Sequence, residues 1–245
     1  MKLAIFDIDG TLTRTNTADQ ICYMQTAAEL LGAEKEDFDP ESFTHFTDAC
    51  MADELWRRHK GAPTVADLVH FQQVYFSKLE ENYTSSPHLF SPLLGAADIL
   101  ARLAAAGWAI ALATGCWRES AEMKLRFSGV GLPHDVPMGT SSDAYSREGI
   151  VRYALAAAQK YYSRANYNDS QKNQAADFEK VVYIGDGIWD LRTCANLGLP
   201  FVGVRAEEAG YTGHKSPLGD FLKLGHYQDF EAVQQALHQA VAPNL

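Results

Sequence analysis

Three short stretches of this 245-residue chain place acidic or hydroxyl side chains directly after apolar runs. Leu3-Ala4-Ile5-Phe6 leads into Asp7-Ile8-Asp9-Gly10-Thr11, Ala109-Ile110-Ala111-Leu112-Ala113 into Thr114-Gly115, and Val181-Val182-Tyr183-Ile184 into Gly185-Asp186-Gly187-Ile188-Trp189-Asp190. If the three ends meet, several carboxylates share one crevice. Carboxylates brought together repel and raise one another's pKa unless a hard, oxygen-preferring cation lies between them. Mg2+ suits such a place, because it takes one or two carboxylates, keeps waters, and binds phosphate oxygens in its remaining octahedral positions. The candidate metal ligands are Asp7, Asp9, Asp186 and Asp190. A carboxylate can also attack phosphorus, and the resulting aspartyl-phosphate divides one difficult displacement into two. In that chemistry Asp7 would attack, while Asp9 would protonate the leaving oxygen and later deprotonate a water. Thr114 and the main-chain N–H groups around Gly10 and Gly115 would bind phosphate oxygens, with glycine permitting close approach.

These groups need a scaffold that brings strand ends together. Continuous apolar runs of this length suit strands buried on both faces, as in a parallel sheet covered by helices. Weaker strand candidates lie near Asp135–Met138 and at Pro200–Val204. Helical patterns fill the gaps: Gly95 to Ala106, Arg118 to Phe127, Arg147 to Tyr161 and Asp190 to Leu197, three of them closing at a glycine. Strand and helix in alternation imply a doubly wound α/β domain, whose ligands bind beyond the carboxyl ends of the strands. Between Arg14 and about Pro92 there is no strand candidate, only amphipathic patterns at Thr17–Leu31, Pro40–Lys60 and Thr64–Tyr83. An all-helical insertion after the first strand would be a second small domain. The expected division is a core of residues 1–13 and 93–245 with a helical domain of residues 14–92. Phe43, Phe46, Trp56, Phe71, Tyr75 and Phe76 sit at helical spacing and are read as that domain's own core. The acidic run Glu34–Asp39 is read as a solvated loop.

Composition narrows the partners. A formal charge of -10 and a pI near 5.2 argue against a nucleic-acid binder, which neutralises phosphates with clustered Lys and Arg. No stretch approaches the roughly 18 consecutive apolar residues of a membrane span, and Asp7 interrupts the N-terminal apolar run. A cytoplasmic protein is expected. Cys22, Cys50, Cys116 and Cys194 show no C-x-x-C spacing, so reduced thiols are expected rather than disulfides or zinc. Cys116 adjoins the Thr114-Gly115 pair, but position alone gives it no role. Asn82-Tyr83-Thr84 and Asn168-Asp169-Ser170 fit a glycosylation pattern, and Gly210 to Ser216 fits a Walker A loop loosely, without its spacing or strand-to-helix context. Each acidic motif alone has an ordinary reading as a turn or a helix cap. Their joint placement at three strand ends outweighs it, because burying carboxylates there without a function would only destabilise the fold.

Asp7-Ile8-Asp9-Gly10-Thr11-Leu12-Thr13 resembles the first motif of the haloacid dehalogenase superfamily, Ala111 to Gly115 is similar to its second, and Gly185-Asp186-Gly187-Ile188-Trp189-Asp190 matches its fourth. The helical insertion looks like the cap of the phosphoglycolate phosphatase-like branch. The resemblance implies Mg2+, an aspartyl-phosphate on Asp7, and a sheet whose first strand lies between the second and fourth. Asp9 favours phosphate esters over carbon–halogen bonds within that family. The third motif usually supplies a Lys, whereas Ser146-Arg147-Glu148-Gly149-Ile150-Val151 offers Arg147, a permanent bidentate charge suited to phosphoryl oxygens. Lys160 and Lys180 are the fallbacks. The expected activity is Mg2+-dependent hydrolysis of a small phosphorylated metabolite, with a phosphomutase or a non-catalytic phospholigand binder as alternatives. Thr47, Asp48, Arg57, Arg58 and Lys60 are the candidate substrate-selecting residues of the insertion.

Overall fold

The computed structural model describes residues 1–133, 135–165, 176–205 and 218–244. The Gly210–Ser216 loop match and the Asn168–Ser170 pattern lie outside the described residues. Six strands, β1 (Lys2–Phe6), β2 (Trp108–Ala113), β3 (Met138–Gly139), β4 (Lys180–Gly185), β5 (Phe201–Val204) and β6 (Leu222–Leu224), form one parallel sheet in the order β3-β2-β1-β4-β5-β6. The first strand therefore lies between β2 and β4. The helices are α1 (Asn16–Leu31), α2 (Asp48–Lys60), α3 (Val65–Ser85), α4 (Ala96–Ala105), α5 (Arg118–Phe127), α6 (Arg147–Ala165), α7 (Ile188–Leu197) and α8 (Phe230–Gln239).

Alternation along the strands explains the two covering layers, since successive side chains point to opposite faces. Ala4, Phe6, Ile110 and Leu112 pack on one face with Ile99 and Leu103 of α4, Leu125 of α5, and Val233 and Leu237 of α8. Leu3, Ile5, Ala109, Ala111 and Ala113 pack on the other with Ile150, Ala154 and Ala158 of α6 and Leu191 and Cys194 of α7. Both faces of β2 are buried, which is why its sequence reads as an unbroken apolar run. The doubly wound α/β architecture is the one the sequence implies. All four cysteines are free and buried, and no helix among the described residues is long and apolar enough to cross a membrane.

Some boundaries differ. The Asp135–Met138 strand contracts to Met138–Gly139, because Asp135 takes a left-handed φ of 56° that no strand accommodates. The Pro40–Lys60 helix begins only at Asp48: Pro40–Ser42 is a short 3-10 turn capped by Asp39, and the next residues bend irregularly onto the α/β core. There the Asp48 N–H donates to the Gly115 carbonyl at 2.8 Å and the Thr47 hydroxyl to the Tyr145 carbonyl at 2.7 Å. These tertiary bonds satisfy backbone groups that a helix would otherwise pair internally. The acidic run is not wholly loop either, since Lys35–Phe38 makes a 3-10 turn in which Asp37 accepts the Glu34 N–H. Strand β6 and helix α8 lie beyond the elements read from the sequence.

The residues between β1 and α4 are helical throughout their regular structure, and α3 starts with a Thr64/Asp67 capping box. Phe71 and Tyr75 are fully buried there, as their spacing implies. Their cluster also takes in side chains of α5 and the residue before it. Trp117 lies among Tyr23, Phe71, Tyr75 and Phe76, with ring centroids 5.7–6.1 Å away, and Phe127 stacks on Tyr83 at 4.1 Å. The insertion is thus packed through an apolar seam onto the core. Trp117→Ala should lower unfolding stability by about 3–5 kcal/mol in urea titrations, the cost of a large cavity at a buried aromatic. Val65→Ala on the exposed face of α3 should change it by less than about 0.5 kcal/mol. Equal effects would contradict the seam.

Candidate active site

Phe6 pairs with Leu112 on one side and Ile184 on the other, so β1, β2 and β4 end level with one another. Asp7, Thr114 and Asp186 follow those ends. The loop after Asp7 closes on itself: the Thr11, Leu12 and Thr13 N–H groups all donate to the Ile8 carbonyl, and the Gly10 N–H donates to the Thr13 carbonyl at 2.8 Å. Gly10 has φ +72°, and a Cβ there would stand 1.9 Å from Asp186 Oδ2, so no other residue fits without displacing that carboxylate. Its role is this close approach, because its N–H is already engaged within the loop.

Asp7, Asp186 and Asp190 each contribute a carboxylate oxygen to a group whose atoms lie within 4.8 Å of one another. Asp190 is fully partnered: Oδ1 accepts from Arg147 Nη1 at 2.9 Å and from the Tyr183 hydroxyl at 3.1 Å, and Oδ2 accepts from the Gly187 N–H at 3.1 Å. It therefore caps α7 and anchors Arg147 at once. Asp186 Oδ2 accepts from Asn16 Nδ2 at 3.3 Å. Asp7 Oδ1 and Asp186 Oδ1 are buried and accept no hydrogen bond. Burial raises the Asp7 pKa well above the ordinary carboxylate range, and the neighbouring Asp190, Asp186 and Asp9 charges add to it against Arg147. Asp186 is pushed up to about 8, chiefly by burial and then by Asp190. Three carboxylates and one guanidinium leave a local excess of two negative charges when all are ionised.

Arg147, at the start of α6, reaches into this cluster. Its Nη1 lies 3.8 Å from Asp7 Oδ1, its Nε donates to the Phe46 carbonyl at 3.3 Å, and its guanidinium lies over the Trp189 ring. A Cβ at residue 115 would stand 2.7 Å from Arg147 Nη2, so glycine there makes room for the guanidinium. The buried Thr114 hydroxyl accepts from the Cys116 N–H at 3.3 Å. Lys160 is exposed on α6 and Lys180 donates to the His238 carbonyl, so neither fallback takes part. Among the insertion's candidates, Thr47 and Asp48 dock on the core, whereas Arg57 pairs with Asp53 and Arg58 with Glu54, and Lys60 lies at the end of α2.

The Asp9 carboxylate is placed differently from the other three. It belongs to a second buried group, whose centre is a lysine that the sequence reading did not single out. Lys124 of α5 is fully buried, and its Nζ donates to Asp9 Oδ2 at 2.7 Å, to Asp19 Oδ1 at 2.6 Å and to Cys116 Sγ at 2.9 Å. The Cys116 thiol and the Thr15 hydroxyl also donate to Asp9. Burial alone would raise the Asp9 pKa, but Lys124 and these hydrogen bonds together hold it below the usual value. Asp9, Asp19 and Cys116 have ligand atoms close enough for a metal, yet the lysine ammonium already occupies their midst. Asp48 lies near them, pushed up to about 8 by burial and by Asp19, while its Oδ2 accepts the Trp117 N–H. One signal for Lys124 was present in the sequence: Ala121, Lys124, Leu125 and Ser128 recur at helical spacing, and the other three are apolar or small.

A family model described as haloacid dehalogenase-like hydrolase matches residues 1–198. No curated protein matches the sequence. Similar solved structures include a β-phosphoglucomutase from Clostridium difficile (TM-score 0.63, 15% identity, covering 98% of this chain and 98% of that one). A hydrolase from Pseudomonas syringae has a TM-score of 0.61 at 17% identity, covering 96% of this chain and 90% of that one. CbbY from Rhodobacter sphaeroides, solved with xylulose-(1,5)bisphosphate, has a TM-score of 0.60 at 20% identity, with 92% and 93% covered. At such identities these structures share the fold. With four-fifths of its length matched by the family model and its acidic motifs at the ends of three adjacent strands, the chain belongs to the haloacid dehalogenase-like hydrolases.

Proposed function

We propose that this chain is a Mg2+-dependent phosphatase that hydrolyses a small phosphomonoester through an aspartyl-phosphate on Asp7. The observation that carries this reading is the pair of buried oxygens that accept no hydrogen bond, Asp7 Oδ1 and Asp186 Oδ1, in a cluster of three carboxylates that shares one guanidinium. A polar atom left unpaired in a buried site costs free energy unless a ligand completes it. An all-oxygen donor set suits Mg2+, and Asp7 and Asp186 would hold it, with Asp190 alongside and anchored to Arg147. When bound, the cation would offset the carboxylate charge and polarise the phosphoryl oxygens.

The chain's own groups supply the rest. Asp7 would attack phosphorus, and Asp9, two residues on in the same loop, would hand a proton to the leaving oxygen and later take one from water. In this structure the Asp9 carboxylate accepts hydrogen bonds from Lys124, Cys116 and Thr15. Arg147, held by Asp190 and Tyr183's shared acceptor, would meet the phosphoryl oxygens as charge builds on them, with the Thr114 hydroxyl beside it. Residues 14–92 would act as a cap over the core of residues 1–13 and 93–245, with Phe46 against Trp189 at 4.9 Å among the groups covering the site. Asp7 is 3% exposed, so entry of substrate requires the covering groups to move. The sugar bisphosphate bound by the similar CbbY structure supports a small phosphorylated metabolite as the substrate class.

Hydrolysis of p-nitrophenyl phosphate should depend on added Mg2+ and fall by about 10³-fold or more in Asp7→Asn. Release of inorganic phosphate from an alkyl phosphate distinguishes a hydrolase from a mutase, which would return the phosphoryl group to a second hydroxyl. A folded protein with no activity on a phosphoester panel would favour the binding alternative. Metal binding has a separate signature. With Asp186 pushed up to about 8, the metal-free protein carries that proton at pH 7, and Mg2+ must displace it. Calorimetry in two buffers of different ionisation heat should report net proton release on Mg2+ binding. Binding without proton release would contradict the assignment of Asp186.

A further inference from the structure

Lys124 is a fully buried cation on α5, and nothing in the reaction outlined above uses it. Its ammonium has three donors and three acceptors: Asp9 Oδ2 from the loop after β1, Asp19 Oδ1 from α1, and Cys116 Sγ from the loop after β2. A buried lysine is retained at such a place only when its partners offset a desolvation cost of several kcal/mol. Here two carboxylates, Asp9 at 2.7 Å and Asp19 at 2.6 Å, supply that offset. The surroundings are correspondingly specified. Tyr75 of α3 donates its hydroxyl to the same Asp19 oxygen, Thr15 donates to the other Asp9 oxygen, and the Thr15 hydroxyl is itself bonded to that of Thr13. Both Asp9 oxygens are engaged, Oδ1 by Thr15 and Oδ2 by Lys124 and Cys116, so the Asp9 carboxylate has one defined position.

That position links two parts of the molecule. Asp9 lies in the catalytic loop, Lys124 and Cys116 belong to the α/β core, and Asp19 and Tyr75 belong to the helical insertion. The same seam carries Trp117 between the insertion's aromatics. A shift of α1 or α3 would withdraw Asp19 from Lys124 and loosen the group that holds Asp9. We propose that Lys124 is a positioning residue, which holds the Asp9 carboxylate in place for proton transfer and, through Asp19 and Tyr75, makes that placement depend on the seating of the helical insertion. The proposal rests on the assignment of Asp9 as acid and base.

The test exploits leaving groups. A p-nitrophenolate departs without a proton, whereas an alkoxide needs one, so kcat/KM for an alkyl phosphate depends on the Asp9 acid step and kcat/KM for p-nitrophenyl phosphate does not. Lys124→Met should lower kcat/KM for glycerol phosphate or another alkyl phosphate by roughly tenfold or more, while that for p-nitrophenyl phosphate stays within about threefold. Lys124→Gln, which keeps a hydrogen-bond donor without the charge, should show the same selectivity to a smaller extent. Because both esters are assayed on one sample, their ratio does not depend on the fraction of molecules that fold. Asp9→Asn measures the full selectivity, and adding Lys124→Met to it should produce no further change in the ratio. Equal losses on both esters in the Lys124 variants, or no loss, with Asp9→Asn remaining selective, would overturn the proposal alone. A wild type inactive on both esters, or Asp9→Asn acting equally on both, would overturn the functional reading and the proposal with it.

Discussion

The structure turns on a charge problem at the carboxyl end of the sheet. Asp7, Asp186 and Asp190 are brought within a few ångströms by adjacent parallel strands, and one guanidinium, Arg147, pairs with Asp7 and Asp190. Removing a carboxylate from water costs several kcal/mol, and like charges at this distance add to that cost. The fold lowers it in stages. Asp190 is neutralised locally by Arg147, the Tyr183 hydroxyl and the Gly187 N–H, so it behaves as an anchor. Asp7 and Asp186 retain oxygens that accept no hydrogen bond and raised pKa values, the condition in which a divalent cation and a phosphoryl group would complete a site. Gly10 and Gly115 follow from the same constraint, since side chains there would occupy the space of Asp186 and Arg147.

A second acidic group lies a few residues away and is solved by different means. Asp9 and Asp19 face a protonated lysine, and nearby Asp48 is neutral near pH 7 because its pKa is pushed up to about 8. A divalent cation would compete with a covalently tethered ammonium there, so the two groups differ: one keeps carboxylate oxygens that accept no hydrogen bond, the other is internally compensated. The division also separates Asp9, the proposed acid and base, from Asp7, the proposed nucleophile two positions before it. Joined by Trp117 and its aromatic neighbours, the helical insertion and the core share both an apolar seam and a buried ion-pair network.

The strand-end motifs were legible because each is local: an apolar run, then acidic, hydroxyl and glycine residues within a few positions. Parallel order follows once strands alternate with helices, and the family resemblance supplies the neighbours of β1. Arg147 was legible for the same reason, through its place at the start of α6. Lys124 was not, because its meaning comes from Asp9, 115 residues earlier, and Asp19, 105 residues earlier. A lysine on an amphipathic helix is ordinarily solvated, and only those distant partners make burial tolerable. The over-long reading of α2 has a related cause. Phe43 and Phe46 mimic helical spacing but serve tertiary contacts, with Arg58 and Trp189, in a non-helical segment docked on the core. Short β6 has too few residues to carry a pattern.

The central claim is that Asp7 becomes covalently phosphorylated during turnover. The most direct measurement quenches the enzyme during turnover of a phosphomonoester, reduces any acyl-phosphate with borohydride, and locates the modified residue by peptide mass spectrometry. The account predicts conversion of the Asp7 carboxyl to an alcohol, dependent on substrate and absent from unreacted enzyme. Steady turnover with Asp7 unmodified, or with the label on another residue, would contradict it.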